Sequence, residues 1–245
     1  MAVYVMSDLH LSTNRKTNKS MEVFGARWKN YLDRIERNWR HLVLPTDTVI
    51  VPGDISWAMT LDEAVDDFAY LDSLPGTKII SKGNHDYWWA TQSKASAFFE
   101  KNGYHTIKLL HNNAYEVEDF IICGSRGWFS DENLGNVPRG TDYQKIVSRE
   151  AIRLRISLTE AKKREEESGT KKEKLVFLHF PPVFREFCCE EILAVLREFE
   201  VRRCFYGHIH GIYDVPRTFT HENIAFTMVS ADYLDFIPLH IAKMQ

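Results

Sequence analysis

Five short apolar runs in this chain each lead into side chains able to hold a metal ion. Val3–Ser7 (VYVMS) runs into Asp8-Leu9-His10, Thr48–Val51 (TVIV) into Pro52-Gly53-Asp54, and Lys78–Ser81 (KIIS) into Gly83-Asn84-His85-Asp86. Leu175–Leu178 (LVFL) ends at His179, and Arg203–Tyr206 (RCFY) leads into Gly207-His208-Ile209-His210. Alone, each signal is weak: a D-x-H is mostly a turn or cap, and a histidine at a strand end is more often a hydrogen-bonded core residue than a ligand. Together, in fixed order and each closing a run of strand length, they point to one site. In open α/β sheets ligands bind outside the carboxyl ends of the strands, which is where all five groups fall. Asp8 and His10 stand at i and i+2, as do His208 and His210, so in extended chain their side chains point the same way. The glycines before Asp54, Asn84 and His208 suit sharp turns where backbone passes close to a bound centre.

The elements that must position these residues alternate between strand and helix. Trp28, Tyr31, Leu32, Ile35, Trp39 and Leu42 recur at helical spacing, as do Leu61, Ala64, Val65, Phe68 and Leu71, the latter behind a Thr60–Glu63 capping box. Trp88, Gln92, Ala95 and Phe99 mark a helix stopped by Gly103, and Ile192, Val195, Leu196 and Phe199 another. Tyr115–Cys123 reads as a hairpin turning at Glu118–Asp119, and Ile224–Ser230 with Phe236–Ile241 as a second strand pair. A Gly-, Asn- and Pro-containing loop at Ser130–Thr141 precedes a stripe of Val147, Ala151, Leu154, Leu158 and Ala161. The charged stretch Lys162–Lys174 behind it reads as a solvated helix end and linker. The expectation is a single domain, residues 1–245, with an inserted loop and helix at about 125–172.

Composition bounds the function. With 44% hydrophobic and 27% charged residues the chain is globular. Its four cysteines, Cys123, Cys188, Cys189 and Cys204, show no C-x-x-C spacing and read as thiols in a reducing compartment. The opening residues have no basic leader followed by an apolar segment, and no run approaches the ~18 apolar residues a membrane span needs. A cytoplasmic protein is expected. A net charge of −3 argues against a broad electrostatic grip on nucleic acid, though not against small anionic substrates.

DLH, GD, GNHD, a lone His and GHIH in this order resemble the calcineurin-like metallophosphoesterase superfamily, over Asp8 to His210. The resemblance implies an α/β fold of two packed mixed β-sheets flanked by α-helices, a four-layer sandwich. It implies two metal ions, one held by Asp8, His10, Asp54 and His210, the other by Asp54, Asn84, His179 and His208, with Asp54 bridging. His85 would face the substrate as general acid. The interval from Asp8 to Asp54 is long for the family because of the Trp28–Leu42 helix.

Imidazole, carboxylate and amide donors without thiolate suit divalent transition ions such as Mn, Fe or Zn better than Ca. Two such ions clamp a phosphoryl group and turn a bridging water into the nucleophile, while His85 protonates the leaving alkoxide. Asp86 then braces the turn, and Trp88 and Trp89 start a helix as core residues. Trp57 and Trp128 are candidates to wall the site, and Arg126 and Arg139 to meet a phosphate. The loop Gly124–Asp142 is expected to border the site and select the leaving group. His41, His105, His111, His221 and His240 have no partners in sequence and carry no role. The expected partner is a small phosphate ester. The alternatives are an idle protein-binding scaffold, against which the complete ligand set speaks, and a nuclease using Arg149, Arg153 and Arg155.

Overall fold

The structure, a computed structural model, describes residues 1–14, 19–128 and 142–243. In chain order, β1 (Val3–Val5) leads through two short 3-10 turns to α1 (Tyr31–Leu42), β2 (Thr48–Pro52), α2 (Val65–Ser73), β3 (Thr77–Ser81), α3 (Gln92–Asn102) and β4 (Ile107–Leu109). The hairpin β5 (Tyr115–Val117) and β6 (Phe120–Ser125) follows, then α4 (Tyr143–Ser168), β7 (Glu173–Leu178), β8 (Val183–Phe184), β9 (Phe187–Cys188), α5 (Glu190–Glu198) and β10 (Arg203–Tyr206). β11 (Thr218–His221), β12 (Ile224–Met228) and β13 (Leu239–His240) complete the set.

These strands form two mixed sheets, ordered β13-β1-β2-β3-β4 and β11-β12-β10-β7-β6-β5. Within each, the inner strands run parallel and the antiparallel strands lie at the edges. The period-2 alternation of β7 explains why its run is apolar throughout. Leu175 and Phe177 face the core between the sheets, with Val5, Ile50 and Ile80, while Val176 and Leu178 face the layer built by α4 and α5. α1, α2 and α3 bring Trp39, Phe68 and Phe99 to the first core. The expected four-layer α/β sandwich is the observed architecture. A bridge between Ser7 and Ser230 ties the end of β1 to the end of β12, so the carboxyl ends of the two sheets meet.

Three sequence expectations need correction. Trp88 and Trp89 do not start α3; Thr91 does, its Oγ1 accepting the Lys94 N–H at 3.2 Å, and both tryptophans lie in the preceding turn, buried. The segment Ile224–Met228 does not pair with the strand after it. It forms a hairpin with β11 across Glu222–Asn223, both left-handed, while β13 crosses to the other sheet and pairs with β1. Glu63 does accept a backbone N–H ahead of α2, but from Met59 rather than Thr60, so the capping box closes one residue early. Gly103 and the Glu118 turn stand as expected, both left-handed. The four cysteines are free, with Cys188 exposed. No described helix is long and apolar enough to cross a membrane.

Candidate metal centre

The five strand ends converge. Asp8, His10, Asp54 and His179 are buried, and Asn84, His208 and His210 are partly so. His10 Nε2 faces His210 Nε2 at 3.3 Å and Asp54 Oδ2 at 3.7 Å. His210 Nε2 lies 3.4 Å from Asp8 Oδ1, His179 Nε2 3.6 Å from Asp54 Oδ2, and Asn84 Oδ1 2.6 Å from His179 Nε2 and 3.0 Å from His208 Nδ1. Two clusters have the compactness that metal ligation needs: Asp8, His10 and His210, and Asp8, Asp54 and His179.

The backbone reaches this arrangement at a conformational cost. Asp8, His10, Asp54 and His208 all have positive φ, at 61°, 45°, 52° and 69°. Each such residue other than glycine costs about 1–2 kcal/mol, so the surrounding fold holds them there. The i, i+2 argument for Asp8 and His10 therefore reaches the right grouping by the wrong geometry, since neither residue is extended. Two glycines are required outright. A Cβ on Gly83 would press into Asp54 Oδ1, and one on Gly207 into Asp8 Oδ2, both closer than 3.0 Å.

The candidate ligands are oriented from outside. His179 Nδ1 sits 3.2 Å from the Pro52 carbonyl, which leaves Nε2 to the centre. His210 Nδ1 lies 2.8 Å from Asp232 Oδ1, and the other Asp232 oxygen accepts from Gly211 N–H and Tyr213 Oη. The sequence analysis missed Asp232. Its signal is that Ser230-Ala231-Asp232 begins two residues past the end of β12, a neighbour of β10, the strand that leads to His208 and His210.

Asp86 braces the turn, as expected. Its carboxylate accepts the N–H groups of Gly83 (2.8 Å), Asp54 (2.9 Å), Ile55 (2.8 Å) and Ser56 (3.3 Å), and Trp88 Nε1 (2.9 Å). One buried carboxylate thus ties the Asp54 turn to the Asn84–His85 turn. Asp86→Ala strands these donors, each costing about 1–3 kcal/mol when left unpaired. We expect a stability loss of roughly 3–5 kcal/mol in denaturant unfolding, recovered in part by Asp86→Asn; a loss below about 1 kcal/mol would refute the brace.

The electrostatics call for cations. Burial, then the charges of Asp8 and Asp86, pushes the Asp54 carboxyl well above its ordinary range. Burial lowers His179 to about 4 and, with help from His179, lowers His208 to about 3, so both keep a free lone pair at neutral pH. Against burial, Asp8 and Asp232 raise His210 to about 10. His10 Nδ1 is buried without a hydrogen-bond partner among the described residues. Buried carboxylates beside the neutral imidazoles of His179 and His208, with the Nε2 atoms of His10 and His210 facing each other, fit divalent metal ions.

His85 hydrogen-bonds through its N–H to Asp54 Oδ1 at 2.8 Å, while its ring packs against Trp57 with centroids 4.5 Å apart. Its Nδ1 is buried without a hydrogen-bond partner among the described residues, and burial lowers its pKa. Trp57 also stacks on His10 at 4.8 Å and helps line a cavity of about 330 Å³ with Trp28, His85, His210 and Tyr213. Trp128 packs on Phe180, whose ring meets His208. Arg139 and the segment 129–141 lie outside the described residues.

The family model described as calcineurin-like phosphoesterase matches residues 1–211, and the chain belongs to that family, whose members hydrolyse phosphate esters with metal ions. Among solved structures it is similar to the phosphopantetheinyl hydrolase (PptH) of Mycobacterium tuberculosis, at 13% identity and TM-score 0.51, over 99% of this chain and 96% of that one. It is also similar to the protein TT1561 of Thermus thermophilus, at 12% identity and TM-score 0.54, over 94% and 89% of the two chains. At these identities the likeness is one of fold. No curated protein sequence matches the chain.

Proposed function

We propose that this protein is a dinuclear-metal phosphohydrolase acting on a small phosphate ester, with His85 as general acid. The observation that carries the reading is the position of Asp54. Its Oδ2 lies within 4 Å of a histidine of each cluster, 3.7 Å from His10 Nε2 and 3.6 Å from His179 Nε2. Asp8, His10, Asp54 and His210 would hold one ion, and Asp54, Asn84, His179 and His208 the other.

Divalent ions bound there supply Lewis-acid stabilisation of the phosphoryl oxygens and activation of the attacking water. The protein's own residues do the rest. Asn84 contributes an uncharged donor, which leaves the second position electrophilic. Asp54 Oδ1 anchors the His85 backbone, so the imidazole is aimed from a rigid turn at the leaving oxygen. The aromatic cavity beside His85 accommodates the organic leaving group and excludes water from it. The free thiols support a reducing, cytoplasmic setting. An idle scaffold is disfavoured because every polar residue of the motif set is in place.

The test is direct. Protein stripped of metal and reloaded with Mn, Fe or Zn is screened against phosphomonoesters, phosphodiesters and pyrophosphates. Metal-dependent turnover of at least one class is expected. No turnover of any class with any of these ions would refute the reading.

A further inference from the structure

One strand further along both sheets from the metal centre lies a second cavity, of about 420 Å³. It is bounded by Ser81 at the end of β3, Leu110 just past β4 and Ser125 at the end of β6, with α4 along its outer side. It thus opens at the same carboxyl ends that carry the metal ligands. Lys82, Arg126, Arg149 and Arg153 line it against one carboxylate, that of Glu150. In a chain of net charge −3, four cations against one carboxylate make a local basic site.

A structural ion network would match its charges, and this one does not. Glu150 is 1% exposed and pairs through Oε1 with Arg153 at 2.5 Å and Arg126 at 3.7 Å. Its Oε2, and the Nε of Arg126, are buried without a hydrogen-bond partner among the described residues. Lys82 is anchored by its bond to the Trp89 carbonyl at 2.6 Å, and Arg149 is exposed with no ion pair among the described residues. Arg126 joins the cavity to the metal centre, since its carbonyl accepts the N–H groups of His179 at 3.1 Å and Phe180 at 2.9 Å.

Guanidinium groups and an ammonium around a cavity open to solvent match a phosphoryl group. We infer that this cavity binds a second phosphoryl group of the substrate, so that the preferred substrates carry two. The inference rests on the hydrolase reading for the first phosphoryl group and on the basic cavity alone for the second.

The test separates the two. Binding of inorganic phosphate to the metal-loaded protein is counted by equilibrium dialysis, in wild type and in Arg149→Glu, a substitution at an exposed residue outside the metal set. Two phosphates per chain are expected in wild type, with the second weakened about tenfold or more in Arg149→Glu, as befits loss of a charged hydrogen-bond donor. Loss of the only phosphate in Arg149→Glu would keep the cavity and sink the metal-centre reading. Phosphate binding unchanged by Arg149→Glu would overturn the cavity proposal. A second arm decides between a substrate group and free phosphate. Hexane-1,6-diol bisphosphate and hexyl phosphate are compared as competitors of p-nitrophenyl phosphate. The bisphosphate should bind about tenfold more tightly in wild type and lose that advantage in Arg149→Glu. Equal affinities for the two compounds in wild type would exclude a second substrate group.

Discussion

Asp54→Ala protein is expected to lose metal from both positions of the centre and to lose turnover with it. Asp54 Oδ2 lies 3.7 Å from His10 Nε2 and 3.6 Å from His179 Nε2, so removing it takes away a carboxylate oxygen that neighbours a histidine of each cluster. Changing even an outer partner of a metal ligand typically costs 10–100-fold in affinity, and a shared ligand should cost more than about 100-fold. Asp54→Asn separates charge from shape. It keeps an acceptor for the His85 N–H, which lies 2.8 Å from Oδ1, yet removes the negative charge that two cations need. Metal content by mass spectrometry should therefore fall in both variants, while thermal unfolding of Asp54→Asn stays close to that of the metal-free wild type. Retention of two ions per chain in Asp54→Ala would show that this residue is not shared.

Replacing His85 acts on the chemistry and spares the metal. His85→Asn should lower turnover by ~10²–10⁴-fold, the range for removal of a general acid, with metal content unchanged. His85 touches the centre through its backbone N–H, which any residue but proline supplies, and its ring lines the cavity shared with Trp57. The loss should shrink for p-nitrophenyl phosphate, whose leaving phenolate hardly needs a proton, and be largest for alkyl phosphates. Equal losses on good and poor leaving groups would remove the acid role and leave His85 as an electrostatic contact.

The sequence by itself picked out the candidate residues and their place in the fold. Asp8, His10, Asp54, Asn84, His179, His208 and His210 follow apolar runs, and those runs became β1, β2, β3, β7 and β10, with the seven candidate residues brought together at their carboxyl ends. This was legible because strand periodicity and ligand chemistry are both local properties of the chain. The glycines were legible for the same reason, since Gly83 and Gly207 stand directly before Asn84 and His208 in the turns that carry them.

Only the tertiary structure decided the rest. Asp232 orients His210 from a turn 22 residues away, a contact created by sheet order alone. The separation of β12 and β13 into different sheets depends on which edge each strand can reach, and neighbouring apolar runs do not encode that. The left-handed backbone at Asp8, His10, Asp54 and His208 is held by the surrounding fold; Asp and His enter that region more readily than most residues, but local propensity does not select these four. The basic cavity is of the same kind. Lys82, Arg126, Arg149 and Arg153 come from three separate stretches of sequence, and they line one cavity only where β3, β6 and α4 meet.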